Sequence, residues 1–213
     1  MSLQIKLEQG LEQAGLMLDE NQRRQLLDYL ELLQKWNKVH NLTAVRDPEE
    51  MVTLHLLDSL SVLRHIKGQR LLDVGSGAGL PGIPLALCLP QLQVTVMDSS
   101  HKKASFMRQA KAELNITNLE VICGRVEKYK PPQAFDVIVS RAFSDLGEFI
   151  GLTRHLCATD GQWLAMKGVY PYDELAQLKA QFAEDLLPAR IIPLQVPGLE
   201  AQRHLVSLSF NRL

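Results

Sequence analysis

Cysteine is scarce in this sequence, and its three cysteines lie far apart without forming a CxxC pair. We therefore expect Cys88, Cys123 and Cys157 to be thiols in a reducing compartment, with neither a disulfide framework nor a metal site. No apolar run reaches the roughly 20 residues of a membrane span. The first residues, MSLQIKLEQG, lack the basic and then apolar stretches of a signal peptide. The expectation is a cytoplasmic protein with no membrane contact.

An excess of either charge is also missing, since 23 Lys and Arg face 24 Asp and Glu. A total near zero neither indicates nor excludes nucleic acid, because a basic face can be balanced by an acidic one elsewhere. The 46% hydrophobic content is ordinary for a globular protein with a core. The length of 213 residues suits one domain, or one domain with an appendage. We expect a monomer.

The spacing of apolar residues changes near Gly68. Before it the spacing is helical: leucines between 26 and 33, with Trp36, recur at steps of three and four after an N-cap at Asp19. Asp-Pro-Glu-Glu at 47–50 is a second helix start, and that helix is predicted to continue towards Ile66. The sequence thus predicts an N-terminal helical extension over 1–68 and a core over 69–213, together one compact unit.

The core shows alternating strand and helix signals. Short apolar runs predict buried strands at 70–74, 93–97, 119–122, 135–140 and 162–166. Helical stretches between them, notably 102–114 and 146–156, predict a parallel sheet with helices on both faces. At the end, runs at 191–196 and 204–210 flank a Pro-Gly turn with no helix between them, which predicts an antiparallel hairpin at or near the sheet edge.

A glycine-rich loop follows the first predicted strand, with glycines at 75, 77, 79 and 82 after Asp73. Glycine is required where the backbone turns through positive φ, or where a cofactor touches the main chain with no Cβ in the way. A strand–loop–helix of this kind lies at the carboxyl end of a parallel sheet, where open α/β folds bind ligands. The loop is therefore the predicted cofactor site.

This loop fits two cofactors. Residues 77–82 match G-x-G-x-x-G, the dinucleotide fingerprint, and Asp98 follows the second strand, where a ribose-binding carboxylate belongs in either fold. Three features favour an S-adenosylmethionine-dependent methyltransferase: Asp73 completes D-x-G-x-G-x-G, the dinucleotide match starts late after the strand, and the chain ends in a hairpin. A nicotinamide oxidoreductase, or a loop that merely turns the chain, stays open at this point.

The exit of the fourth strand bears on the methyl acceptor. It reads Ser-Arg-Ala-Phe at 140–143, without the prolines of enzymes that methylate exocyclic amines. No cysteine has the context of a nucleophile for carbon methylation of pyrimidines. An acceptor that is already nucleophilic remains, such as a purine ring nitrogen or a group on a small molecule. Guanine N7 has a free lone pair and needs no general base, so positioning alone can drive transfer. Arg141 and Phe143 are candidates for substrate contact.

Basic residues gather after the strands and around the helical extension, which favours a phosphate-rich substrate. They are Lys35, Lys38, Arg64, Lys67, Arg70, Lys102, Lys103, Arg108, Lys111, Arg125, Lys128, Lys130, Arg141 and Lys167.

Over almost its whole length the chain resembles the RsmG (GidB) family, bacterial methyltransferases of guanine N7 in 16S ribosomal RNA. The most particular matches are WNKVHNLT at 36–43 and HLLDS at 55–59. The other matching segments are 46–48, 72–82, 98–99, 102–103, 125–127, 140–143, 167–168 and 203–204. The glycine loop alone is shared by all class I methyltransferases.

The resemblance implies a class I, Rossmann-like α/β fold: a mostly parallel seven-stranded sheet with an antiparallel edge hairpin, preceded by the helical extension. It implies S-adenosyl-L-methionine as cofactor and 16S ribosomal RNA or a small-subunit precursor as partner. The cofactor residues that it and the loop imply are Asp73, Gly75, Gly77, Gly79, Leu80, Asp98 (on the ribose), Val126, Glu127 and Arg141. It also implies that Asn41, His55 and Asp58 belong to the active site together with Arg141, and it assigns no individual role to these three residues. A small-molecule methyltransferase and a non-catalytic RNA-binding assembly factor are the alternatives.

Overall fold

The computed structural model describes residues 2–141, 143, 145–182 and 186–211. Ala142 of the fourth-strand exit lies outside these residues. The strands are β1 (Arg70–Val74), β2 (Gln93–Asp98), β3 (Leu119–Cys123), β4 (Phe135–Ser140), β5 (Cys157–Lys167), β6 (Arg190–Pro193) and β7 (His204–Leu208). The helices are α1 (Leu3–Gln13), α2 (Glu20–His40), α3 (Pro48–Met51), α4 (Asp58–Leu60), α5 (Gly82–Cys88), α6 (His101–Glu113), α7 (Leu146–Thr153) and α8 (Tyr172–Gln181).

The strands form one seven-stranded sheet in the order β3-β2-β1-β4-β5-β7-β6. Strands β1 to β5 are parallel, and β7 is antiparallel to both β5 and β6. The predicted parallel sheet and its closing hairpin are therefore confirmed. Strand β5 begins five residues earlier than predicted, because Cys157 pairs with Phe135 across a register shift although residues 158–161 form no apolar run. The strand order reverses between β1 and β4, which opens a crevice at the carboxyl ends of these two strands.

Helices cover both faces of the sheet. Helices α2, α5 and α6 pack on one face, and α7 and α8 pack on the other. No helix within the described ranges is both long enough and apolar enough to cross a membrane. The sequence analysis assigned neither α1 nor α8. Helix α8 buries only Leu178 fully, so its apolar stripe is weak, whereas α1 carries Leu3, Leu7 and Leu11 at steps of four on one face.

The helical extension packs directly on the core. Asp19 caps α2 by accepting the amide of Gln22 (2.8 Å), and the Gln22 side chain returns the bond (2.9 Å), as the spacing predicts. The buried Tyr29 hydroxyl donates to the carbonyl oxygen of Ala78 in the glycine loop (2.7 Å). One apolar cluster contains buried residues of α1 and α2 together with residues of β1 and β2. This packing supports our proposal that 1–68 and 69–213 form one compact unit.

The helix predicted from residue 47 begins as expected but is not one α-helix. Asp47 caps it by accepting the amide of Glu49 (2.9 Å), and Pro48 takes the first position. Residues Val52–Leu57 then form a wider π-helical turn before α4, and a 3-10 turn at Leu63–His65 ends the segment. The predicted helical course through Leu54, Leu57 and Leu60 is thus confirmed, but as α, π and α turns in succession, with a 3-10 turn before Ile66. A π-turn adds a residue per turn, which periodicity does not reveal, and such turns are frequent at functional sites.

Candidate active site

The glycine loop turns sharply away from the end of β1. Gly75, Gly77 and Gly79 have φ of 70°, 61° and 87°, which other residues rarely adopt. A Cβ on Gly79 would collide with Ile83, whereas a Cβ on Gly77 would meet no atom within 4 Å. Gly79 is therefore needed for packing against α5, while the space beside Gly77 is left open for a ligand.

Asp73 anchors the far end of this loop. It is fully buried, and its Oδ2 accepts the amide of Gly82 (2.7 Å). Burial raises the pKa of this carboxyl to about 7, against the usual value near 4. The contact of Asp73 in the structure is with the start of α5, so it shapes the loop. A bond from Asp73 to the methionine end of a cofactor stays a prediction.

Asp98 fastens the loop to the end of β2. Its Oδ2 accepts the amide of Gly77 (3.0 Å) and lies 3.3 Å from the ammonium of Lys103. Its Oδ1 accepts the amide of Ser100 (2.9 Å). A carboxylate has about four lone-pair positions, so hydroxyl donors can still be added to this set. The side chain thus holds the loop in shape and can accept bonds from a ligand.

The largest of three hollows at this edge of the sheet, here called the large hollow, has a volume of about 740 Å³. It brings together Gly75, Asp98, Val126 and Glu127, four residues that the sequence placed in one cofactor site. Phe143 also lines it, stacking on Phe149 with ring centroids 5.2 Å apart. The remaining lining residues are Val74, Met97, Ser99, Lys103, Gly124, Arg125, Glu148 and Leu152.

Two smaller hollows continue the crevice beyond Gly75. The bridging hollow, of about 230 Å³, is lined by Leu42, Thr43, Gly75, Ser76, Gly77, Ala78, Leu80 and Arg141. The distal hollow, of about 380 Å³, is lined by Val45, Leu54, His55, Asp58, Arg141, Met166, Lys167, Gly168 and Arg203. Gly75 is common to the large and bridging hollows, and Arg141 to the bridging and distal hollows. The three hollows therefore adjoin one another along the crevice, in a row from Asp98 to Arg203.

Asp58 organises the distal hollow. It is only 2% exposed, and its Oδ2 lies 3.2 Å from Nη1 of Arg141 while its Oδ1 accepts Nε of Arg203 (2.9 Å). Nη1 of Arg141 also donates to the carbonyl of Leu54 in the π-helical turn (3.1 Å). One buried carboxylate thus holds two guanidinium groups, which leaves a net positive charge in the hollow. Arg203 was not among the predicted site residues, because it is 145 positions from Asp58. Its only signal was the resemblance at 203–204.

His55 is buried at the base of the same hollow. Its Nε2 lies 3.0 Å from Oγ1 of Thr43, which lines the bridging hollow. Burial lowers the pKa of the imidazole to about 4, so the ring is neutral near pH 7. In the structure it supports the wall between the bridging and distal hollows, and it carries no charge with which to bind an anion.

Asn41 lies apart from this group. It ends α2 in the left-handed conformation (φ 49°), and its Oδ1 accepts Nη2 of Arg46 (2.6 Å). It is exposed and is not one of the residues lining the three hollows. Its neighbours Leu42 and Thr43 do line the crevice. The structure therefore gives Asn41 a part in shaping the segment that leads to Thr43, and a catalytic role for it stays a prediction.

The sheet order and the crevice define a class I methyltransferase fold. A nicotinamide-binding domain has the strand order 3-2-1-4-5-6, whereas here antiparallel β7 lies between β5 and β6, so that alternative is wrong. The fold matches an O-methyltransferase of Bacillus cereus solved in complex with SAH, with a TM-score of 0.61 and 17% identity over 85% of this chain and 90% of that one. TrmN of Thermus thermophilus matches with a TM-score of 0.54 and 17% identity, over 72% and 47%.

Sequence comparison identifies the particular family. The model of GidB, rRNA small subunit methyltransferase G, matches residues 22–206. A Ribosomal RNA small subunit methyltransferase G of Methylobacillus flagellatus is 63% identical over 206 residues, covering 97% of this chain and 98% of that protein. One of Laribacter hongkongensis is 53% identical, covering 99% and 100%. The chain belongs to this family, as the motif resemblance indicated.

Proposed function

We propose that this enzyme transfers the methyl group of S-adenosyl-L-methionine to N7 of a guanine in 16S ribosomal RNA. The observation that carries the proposal is the row of adjoining hollows: Gly75 and Gly77 of the glycine loop line the bridging hollow, which shares Arg141 with the distal hollow and its second arginine, Arg203. The printed name of the relatives, Ribosomal RNA small subunit methyltransferase G, supports ribosomal RNA as the substrate.

The residues of the crevice fit the proposed cofactor. The open space beside Gly77 admits a ligand against the main chain, and the large hollow next to it is of the size of a small-molecule site. We propose that Asp98 binds the ribose and that Val126 and Glu127 border the adenine. We also propose that the methionine end of the cofactor is surrounded by Asp73, Gly75, Gly77, Gly79, Leu80 and Arg141. When bound, the cofactor supplies an electrophilic methyl group.

Among the described residues that line the distal hollow, two could remove a proton, and neither is well suited to do so. The pKa of His55 is lowered to about 4, so its imidazole is a weak base, and Asp58 is held by Arg141 and Arg203, one at each carboxylate oxygen. Guanine N7 fits this arrangement, because it attacks with its own lone pair and loses no proton. The chain then has to position the base with N7 facing the methyl group and keep water out. Orientation of this kind can supply several kcal/mol.

The charge of the distal hollow suits RNA. Arg141 and Arg203 together carry two positive charges against one on Asp58, and guanidinium groups bind phosphate and guanine oxygen well. We propose that 16S ribosomal RNA, or a small-subunit precursor that contains it, enters here. A monomeric state and a cytoplasmic location stay predictions.

The test uses purified enzyme, labelled S-adenosyl-L-methionine and small ribosomal subunits from a strain that lacks the relative. Nucleoside mass spectrometry should find 7-methylguanosine in 16S RNA. Arg141→Ala should abolish it, while Arg24→Ala, an exposed arginine of α2 bonded to Asn21, should not. Methyl on another atom would overturn the N7 assignment.

The same assay separates the alternatives. Methylation of metabolites with none of ribosomal RNA would favour a small-molecule enzyme. Absence of S-adenosyl-L-methionine binding in calorimetry would favour a non-catalytic assembly factor.

A further inference from the structure

Three aromatic side chains meet beside the distal hollow and are called here the aromatic platform. Tyr170 and Tyr172 have ring centroids 4.2 Å apart with an interplanar angle of 34°. Tyr170 also contacts His204 edge to face, with centroids 5.6 Å apart at 79°. The two tyrosines follow the end of β5, and His204 begins β7. The platform therefore lies at the carboxyl edge of the sheet, as the crevice does.

The platform faces outwards. Tyr172 is 73% exposed, and the neighbouring Val169 is 75% exposed. An aromatic ring left in water gives up the free energy that burial of its faces would gain. Exposed apolar residues that are grouped, rather than scattered singly, mark interaction sites. The arrangement thus presents a ring to a partner instead of to the core.

The platform and the distal hollow are parts of one backbone region. Lys167 pairs with His204 across β5 and β7, and the imidazole Nδ1 of His204 lies 3.1 Å from the carbonyl oxygen of Gly168. Lys167 and Gly168 line the distal hollow, as does Arg203, the residue immediately before His204. The platform consequently adjoins the hollow along the chain, because Tyr170 and His204 are close in sequence to the lining residues Gly168 and Arg203.

We propose that the aromatic platform stacks an RNA base next to the guanine that enters the distal hollow. The proposal rests on the function proposed above. Unpaired RNA bases stack on aromatic side chains whatever their identity, and the net positive charge of the adjoining hollow suits the phosphate between the two nucleotides. A protein partner would match the apolar ring equally, but the proposed substrate, RNA, brings both the base and the phosphate to this place. RNA is therefore the partner that both features favour.

The test compares Tyr172→Ala and the double variant Tyr170→Ala/Tyr172→Ala with Tyr172→Phe, which keeps the ring. The substrates are small ribosomal subunits and a short single-stranded RNA containing the guanine. Loss of one base stack is expected to raise KM for subunits, and Kd for the RNA, about 10-fold. Tyr172→Phe should behave as wild type. For Tyr172→Ala the affinity for S-adenosyl-L-methionine and the melting temperature should not change, because Tyr172 is exposed and lines none of the three hollows.

The outcomes are distinct. If the double variant methylates subunits as wild type does, with unchanged KM and Kd, base stacking on the platform is refuted and the proposed function stands. A higher KM for subunits with an unchanged Kd for RNA would mean that a ribosomal protein contacts the tyrosines, which also overturns it. If the wild-type chain transfers no methyl group to ribosomal RNA, the proposed function fails and the platform with it.

Discussion

Replacing Asp58 with asparagine tests whether one buried carboxylate holds both arginines of the distal hollow. Asparagine has the same shape but keeps only one acceptor oxygen. Its NH₂ group would face one guanidinium, a donor against a donor. Either Arg141 or Arg203 would then lose its hydrogen bond to residue 58, and no negative charge would compensate the two guanidinium groups.

The expected cost follows from the burial. Removing one partner of a fully buried ion pair destabilises by roughly 3–5 kcal/mol. Here Asp58 is 2% exposed but the side chains of Arg141 and Arg203 are 31% and 24% exposed, so water partly solvates the arginines. We expect a loss of about 2–3 kcal/mol in the free energy of unfolding. Displacement of Arg141 at the crevice should lower kcat/KM about 100-fold.

Urea denaturation and methylation kinetics measure the two effects. Glu31→Gln is the matched control, because Glu31 forms a 2.8 Å ion pair with Lys35 on the exposed side of α2. Exposed ion pairs contribute little, so this variant should keep the stability and activity of wild type. If Asp58→Asn also kept both, the inferred role of Asp58 would be refuted.

Two further predictions concern the glycine loop and His55. Gly77→Ala introduces a Cβ where φ is 61° and the neighbouring space is open. This variant should weaken the binding of S-adenosyl-L-methionine measured by calorimetry. The control Gly151→Ala, at a glycine of helix α7 that also has open space beside it, should leave the affinity unchanged. Equal affinities of the two variants would contradict a ligand beside Gly77. The pKa of His55 is lowered from 6.5 to about 4 in the folded chain. Between these two values the imidazole is protonated in the unfolded chain and neutral in the folded chain. The stability from this residue is complete above pH 6.5, and about 3 kcal/mol of it is lost as the pH falls to 4. In His55→Gln that loss should vanish from unfolding curves measured across this range, and an unchanged pH slope would exclude a buried neutral imidazole.

Local signals were sufficient for the strands and the cofactor loop. The strand before Asp73 and the glycines after it could be read directly, because strand length, turn residues and positive φ depend on neighbouring residues. The same holds for the hairpin that ends the sheet, since no helix separates its two strands. Residues that follow different strands, such as Asp98 and Val126, could be grouped because parallel strands end at one edge of a sheet.

Contacts between segments that are distant in the sequence could not be predicted from these local signals. Neither the π-helical turn at Val52–Leu57 nor the joint bond of Arg141 and Arg203 to Asp58 is encoded in local spacing, because each depends on packing between segments that are far apart in the chain. The exposure of Tyr172 is a property of the folded surface for the same reason.

The sequence by itself determined the class of fold, the place of the cofactor loop and, through its motifs, the family. These depend on short stretches whose residues meet the backbone requirements of a turn or a strand. Only the tertiary structure decided that Asp58 joins two arginines, that Asn41 does not line the crevice, and that the aromatic platform adjoins the distal hollow. The physical reason is that burial and pairing of charges depend on which distant groups share a volume of low dielectric, and folding alone assembles that volume.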